Sequence, residues 1–308
     1  MPPRSVDPLH CLTTTRVAVI AGKGGVGKTT VTAVLARAAA NRGLRVLVIE
    51  LDGKSTLAGL LDSAVSPELT ASIGDHNPVD NGGSTRIEVL AVSPSAALSD
   101  YLDAHGLRLV SRRLASAGII DVVATAAPGI DDIVVLGKIK QLERTNQYDL
   151  IVVDGPAAGH AVTFLLSATS LQATVRNGPI RTQADEVAAM LADPSRCQVI
   201  LVTLPETTPV NELVETAYAL EDRVGVHLGL VVVNAVDQGP QLDLSLVQPG
   251  SPAYRAGQFR NARRALHLAE RTRLEDLLAI PQVALPQVYA SQLDCGAIAE
   301  LAQSLAAP

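Results

Sequence analysis

The sequence predicts an α/β fold, a doubly wound and mostly parallel sheet with helices on both faces. Three observations predict it. First, short β-branched runs are apolar at nearly every position: Val17–Ala21, Val46–Leu51, Leu150–Val153, Val199–Val202 and Leu230–Val233. Strands buried on both faces read this way, whereas a strand with one wet face alternates. Second, helical patterns separate the runs, at Thr30–Asn41, Val134–Arg144, Gln183–Leu191, Val210–Glu221 and Ala262–Leu278. Strands alternating with helices build right-handed βαβ units. Third, a glycine-rich stretch follows the first run directly and opens the first helix.

The remaining segments fit around this frame. Residues 1–15 carry Pro2, Pro3 and Pro8 without a long apolar stretch, so a flexible tail is expected rather than a secretory signal. Residues 16–308 are expected to form a single domain. Ile87–Val92 is a weaker, more alternating strand. Two stretches rich in Gly, Pro, Asp and Asn, 61–85 and 238–251, read as long surface loops. Residues 93–144 and 160–192 are expected to contribute a helical subdomain above the sheet. Its apolar stretches, such as Gly118–Gly137 and Thr163–Thr169, are candidates for a client-binding face.

Composition narrows the function. Hydrophobic residues make up 47% of 308, with no Trp and only two Phe, so the core must be built from Ala, Val, Leu and Ile. The net charge of -6 gives no global basic field, and a nucleic-acid partner is not expected. The three cysteines, Cys11, Cys197 and Cys295, lie far apart, with no paired metal-ligand spacing and no zinc site. No run of 18 apolar residues is present to span a membrane. A cytoplasmic protein is expected, reaching a membrane only through a partner.

The stretch Gly22-Lys23-Gly24-Gly25-Val26-Gly27-Lys28-Thr29 fits the phosphate-loop pattern G-x-x-x-x-G-K-[ST]. Its glycines let successive backbone N–H groups point inward as an anion nest, and the helix opening at Thr29-Thr30 adds its dipole. Lys28 is expected on the β/γ-phosphates of ATP, with the Thr29 hydroxyl on Mg²⁺. Only five of the 25 basic residues are lysines, and three of them, Lys23, Lys28 and Lys54, sit in or beside candidate phosphate loops. A tight nest suits the compact ammonium better than the broad guanidinium fork.

Two acidic strand ends join the loop. Glu50-Leu51-Asp52 closes the second strand, where an acid can orient an attacking water; a helix N-cap is the lesser alternative for Asp52. Leu150–Asp154 is an apolar strand ending in a carboxylate, as in a Walker B strand, so Asp154 is a metal candidate with Thr29.

"KGGVGKTT" resembles the deviant phosphate loop of the MinD-like dimeric ATPases. The resemblance implies that Lys23, the extra lysine, reaches across a dimer interface to the partner's nucleotide. "ELDG" resembles the first switch of that class, usually D-x-D-P, with Asp52 as the water-activating acid, and Glu50 and Gly53 departing from Asp and Pro. "DGPAAGHA", from Asp154, resembles the second switch D-T-A-P-T-G-H-T of the arsenite-pump and tail-anchored-protein-targeting ATPases. Asp154, Gly159 and His160 match, whereas Gly155 and Ala158 replace threonines. His160 suits a structural hydrogen bond as well as a functional one. "VTLPETTPVNEL", at Val202–Leu213, resembles the same ATPases, and Asn234 aligns with their adenine-reading asparagine. Asn234 also suits a turn. Leu285-Pro286 loosely resembles the loop that covers the base.

The resemblance implies a Mg²⁺-dependent, dimeric ATPase, a homodimer or a heterodimer with a paralogue. The chain lacks the paired cysteines of a zinc clasp or an iron–sulfur carrier, and its only methionines are Met1 and Met190. Its end, "DCGAIAELAQSLAAP", has no Lys or Arg for a basic membrane helix. An arsenite-pump-like ATPase acting on an unknown client or membrane partner is therefore expected. The alternative is a slow or non-hydrolysing scaffold subunit.

Overall fold

The computed structural model describes residues 9–51, 56–61, 65–66, 87–116 and 129–305. Its strands are β1 (Val17–Gly22), β2 (Val46–Glu50), β3 (Val65–Ser66), β4 (Ile87–Ala91), β5 (Leu150–Ala157), β6 (Cys197–Thr203), β7 (Leu228–Val236) and β8 (Gln282–Pro286). All pair in parallel, in the order β3-β4-β2-β5-β1-β6-β7-β8. From β1 the chain crosses to β2, reaches the edge with β3, returns inward through β4 to β5 beside β1, and then runs outward on the opposite side through β6, β7 and β8. A ligand crevice therefore opens at the carboxyl end of β1, between β5 and β6.

Successive residues of each central strand enter opposite cores. Val17, Val19 and Ala21 of β1 join Leu47, Ile49, Ile151, Val153, Val199 and Leu201 on one face. That face is covered by α4 (Pro94–Ala104), α6 (Ile130–Arg144), α7 (Ala158–Thr174), α8 (Pro179–Leu191) and α9 (Thr207–Ala219). A further helix, α5 (Arg108–Ser116), follows α4. Ala18 and Ile20 join Val46, Val48, Val152 and Val202 on the other face. Here lie α1 (His10–Thr14), α2 (Lys28–Asn41), α3 (Thr56–Leu61) and α11 (Cys295–Ser304). The long α10 (Pro252–Leu277) runs along the outside, burying only Gly257, His267, Glu270 and Leu274.

Three expectations change. The tail does not reach residue 15: Leu9 and Leu12, three residues apart, are buried in the second core and hold α1 against the sheet. Residues 1–8 lie outside the described residues. The helical material of 93–144 and 160–192 lies on one face of the sheet. Its apolar residues Ile133, Val134, Leu136, Phe164, Leu165 and Ala168 are buried there, so they are not a free client surface. Pro286, read as a loop residue, ends β8. The loop expected at 238–251 is present, whereas 67–86 and 117–128 lie outside the described residues. Among the described residues, no helix is long and apolar enough to cross a membrane.

Close backbone contacts lock the central strands. A Cβ at Gly155 would stand 2.2 Å from the Ile20 carbonyl oxygen, and one at Gly22 would stand 2.3 Å from that of Val202. β5 keeps pairing through Ala157 past an irregularity opposite Ile20–Gly22, and only glycine allows this approach. This accounts for Gly155 standing where the resembling switch has Thr. Gly155→Ala is expected to cost about 1–3 kcal/mol by overpacking. Urea unfolding should show a lower midpoint at an unchanged slope.

Candidate nucleotide site

The phosphate loop is built as its glycines dictate. β1 ends at Gly22, and Gly25 (φ 85°) and Gly27 (φ 90°) take left-handed conformations that side-chain-bearing residues rarely adopt. Gly27 is the N-cap of α2, and its carbonyl accepts from the Val31 amide at 2.9 Å. The first turn of α2 therefore presents its amides and the positive end of its dipole to the crevice. Gly24 and Gly25 are exposed, Val26 is buried beneath them, and Lys28, Thr29 and Thr30 are half-buried on the first helical turn. The Lys28 ammonium folds back over the loop and donates to the Lys23 carbonyl at 3.3 Å.

The Asn234 amide reaches the same loop. Its Nδ2 donates to the Val26 carbonyl at 2.9 Å, and its Oδ1 accepts from the Ala235 amide at 2.9 Å. A Cβ on Gly27 would lie 2.3 Å from Nδ2, so Gly27 and Asn234 are fitted to one another. Ala235 is held at φ 55°, and Val236 pairs with Pro286 of β8. The two residues aligned with the base site thus sit at neighbouring strand ends, with Asn234 bracing the loop itself.

Strand register gathers the acids. Asp154 pairs with Ile20 on one side and with Glu50 on the other. Its carboxylate accepts from the Thr29 hydroxyl at 2.8 Å and from the Thr32 hydroxyl at 3.1 Å. Burial pushes the Asp154 carboxyl above the usual range, and the neighbouring Glu50 adds to the rise. The two threonine hydroxyls and the Lys28 charge pull the other way. Glu50 is only 3% exposed. Its Oε1 accepts from the Thr56 amide at 3.2 Å, while its buried Oε2 has no hydrogen-bond partner among the described residues. Glu50 therefore ties the end of β2 to the start of α3, and beside Asp154 its other carboxylate oxygen has no partner among the described residues. Asp52, Gly53 and Lys54 lie outside the described residues.

A hydroxyl on a carboxylate, next to a buried carboxylate oxygen with no partner among the described residues, is an all-oxygen donor set. It fits Mg²⁺, which takes one or two carboxylates and keeps waters. Thr32 was not singled out in the sequence. It stands one helical turn after Thr29, and its i+3 spacing is the available signal.

At the second switch, Gly159 and His160 are exposed in the first turn of α7. His160 lies within electrostatic reach of Asp132, in the first turn of α6. Burial, with Asp131 beside it, pushes the Asp132 carboxyl up to about 6, and His160 pulls it down. Lys23 does not point into its own nest; its ammonium pairs with Glu212 Oε1 of α9 at 2.5 Å.

Glycine loop, helix dipole, invading lysine and a Thr–Asp pair at the central strand ends define a P-loop nucleoside-triphosphatase. The chain belongs to the anion-transporting ATPase family, whose family model matches residues 15–183. It is an ATPase. The ATPase BagA of Mycobacterium tuberculosis is 30% identical over 94% of this chain and 92% of its own length. The ATPase ARSA1 of Chlamydomonas reinhardtii is 26% identical over 87% of this chain and 40% of its own. An arsenical pump-driving ATPase of Escherichia coli is 30% identical over 71% of this chain but only 34% of its own length.

Lys28→Ala is expected to abolish ATP binding, because it removes the ammonium from the nest while leaving the backbone donors. Titration with a fluorescent ATP analogue measures this. Asp132→Asn is expected to stabilise the chain at pH 7. The folded chain holds the Asp132 proton more tightly than the ordinary 3.8 of an unfolded carboxyl, so its contribution is present at low pH and is lost as pH rises towards 6. Solvent screening at this half-buried position leaves about 1 kcal/mol, or about 2–4 °C in Tm. Melting curves between pH 4 and 7 should separate the two proteins only at the upper end.

Proposed function

We propose that the chain works as a Mg²⁺-dependent dimeric ATPase whose subunits close on nucleotide and thereby drive an unidentified client. The observation that carries this reading is the division of labour between the two loop lysines. Lys28 covers its own nest, whereas Lys23 extends outward to α9 with 39% of its side chain exposed. A lysine leaving its own phosphates is placed to serve those of a neighbour, as an arginine finger in trans does.

The chain's residues divide the task. The backbone amides of 24–28 and the Lys28 ammonium hold the β/γ-phosphates. Thr29 and Asp154 would hold Mg²⁺, which when bound neutralises charge developing on the phosphates. Thr32 keeps the Asp154 carboxylate in one orientation through its second oxygen. Glu50 anchors the segment that carries Asp52, and Asp52 would take the proton of the attacking water. Asn234 and Pro286 would border the base. His160, next to Asp132, would report the switch state to α6 and α7.

A mixing experiment tests the reading. Lys23→Ala should bind ATP as the parent chain does but hydrolyse it poorly. Asp52→Asn should bind Mg²⁺·ATP and lengthen the life of the closed dimer, because the amide keeps the shape but cannot accept the proton. Mixed, the two variants form dimers with one site that has both Asp52 and a Lys23 from across, and turnover should partly recover. Dimers that form in sedimentation yet stay inert would argue against Lys23 acting in trans. ATP binding without turnover in every mixture would favour a scaffold subunit that needs a paralogue.

A further inference from the structure

Lys23 follows β1 directly, and Glu212 stands in the second turn of α9, the helix after β6. β1 and β6 are neighbours, with Gly22 opposite Val202, so the loop after one strand meets the helix after the other. There the Lys23 ammonium contacts Glu212 Oε1, and each side chain is 39% exposed. Two neighbouring polar groups are engaged elsewhere. Glu206 pairs with Arg263, and Asn211 accepts from Arg273. Glu212 is thus the carboxylate that the structure gives to Lys23.

We propose that Glu212 is a positioning residue that parks Lys23 on its own chain until a nucleotide-loaded second copy offers phosphate charge in its place. This rests on the reading of Lys23 as a lysine that acts in trans. Two physical features suit a parking contact. A half-solvated ion pair is weak, so it can be exchanged. A triphosphate carries several negative charges against the single charge of Glu212, so the exchange runs towards the partner once the crevice closes and excludes water. The same pair keeps an uncommitted ammonium away from the chain's own nest, which already holds Lys28. Exchange of partners then raises the attraction that nucleotide in the second copy must supply before closure, above what a free lysine would need.

The test compares the full-length parent chain with Glu212→Gln, Lys23→Ala and the double variant, with Mg²⁺ and ATP. Glu212→Gln keeps shape and removes the charge. It should reach half-maximal dimer in sedimentation at a protein concentration about two- to five-fold lower than the parent, the range that one half-exposed pair can supply. Specific turnover should rise at the same lower concentration. In the double variant the shift should vanish, leaving it equal to Lys23→Ala. Without nucleotide, acylation of Lys23 read by mass spectrometry should be faster in Glu212→Gln. ATP affinity, measured at dilutions where the chain is monomeric, should match the parent. Glu212→Gln that dimerises like the parent, while Lys23→Ala is impaired, overturns the parking role alone. Lys23→Ala that turns over like the parent overturns the trans reading and the parking role together. A Glu212→Gln chain with weakened ATP affinity and a lowered Tm would instead make Glu212 a structural anchor of the loop.

Discussion

Two carboxylates side by side at the ends of the central strands, Glu50 buried and Asp154 half-buried, constrain everything else in the site. The parallel register of β2 and β5 makes Glu50 and Asp154 neighbours. Burying one unpaired carboxylate costs several kcal/mol, and placing a second beside it adds repulsion. The chain offsets this with groups of its own: two hydroxyls from one face of α2, the Lys28 charge and the Thr56 amide. These same groups fix α2 against β5, and α2 carries the loop. The nest is therefore rigid because the acids are largely buried, and the acids are tolerable because the helix that makes the nest lies over them.

Glycine makes that arrangement geometrically possible. Gly155 and Gly22 let three backbones approach more closely than any side chain would allow, and Gly27 leaves room for the Asn234 amide. The loop is thus clamped from both neighbours of β1 and, through Asn234, from β7. A Cβ at any of these positions would displace the nest relative to the acids. Positioning at this scale decides how well a phosphate site works, since a shift of about 1 Å can cost about a hundred-fold in rate.

The frame was legible because its signals are local. Uninterrupted apolar runs identified β1, β2 and β5–β7, and the loop pattern identified Lys28 and Thr29. Asp154 followed from its place at the end of such a run. β8 was missed because Gln282–Pro286 is a short strand at the sheet edge, half-buried at alternate positions and ending in proline. α1 was missed because its two anchors, Leu9 and Leu12, follow a proline-rich start and act only through tertiary burial. Thr32 and Glu212 were missed for a related reason. Their partners lie 122 and 189 residues away; the i+3 spacing from Thr29 hints at Thr32, and no short-range pattern points to Glu212.

Burial of the helical material on one face of the sheet bears on how a change at the nucleotide site could travel through the fold. A ligand is coupled to nucleotide only through elements whose arrangement differs between states. α7 begins within the second switch, α6 begins within electrostatic reach of its His160, and both run into the core among Ile133, Leu136, Phe164 and Leu165. Packed cores shift between discrete arrangements rather than deforming smoothly. A movement of His160 would therefore displace whole helices, including their polar outer faces. The apolar residues once read as a client surface serve better as the rigid link, and the surface that such movement changes is the outer one. Between the helices, Lys138 pairs with Asp100 of α4, the buried Lys140 reaches Glu186 of α8, and the exposed Arg144 reaches the same carboxylate. These pairs tie α6 to α4 and α8, so any displacement of α6 has to carry its neighbours along or break ion pairs that are partly buried.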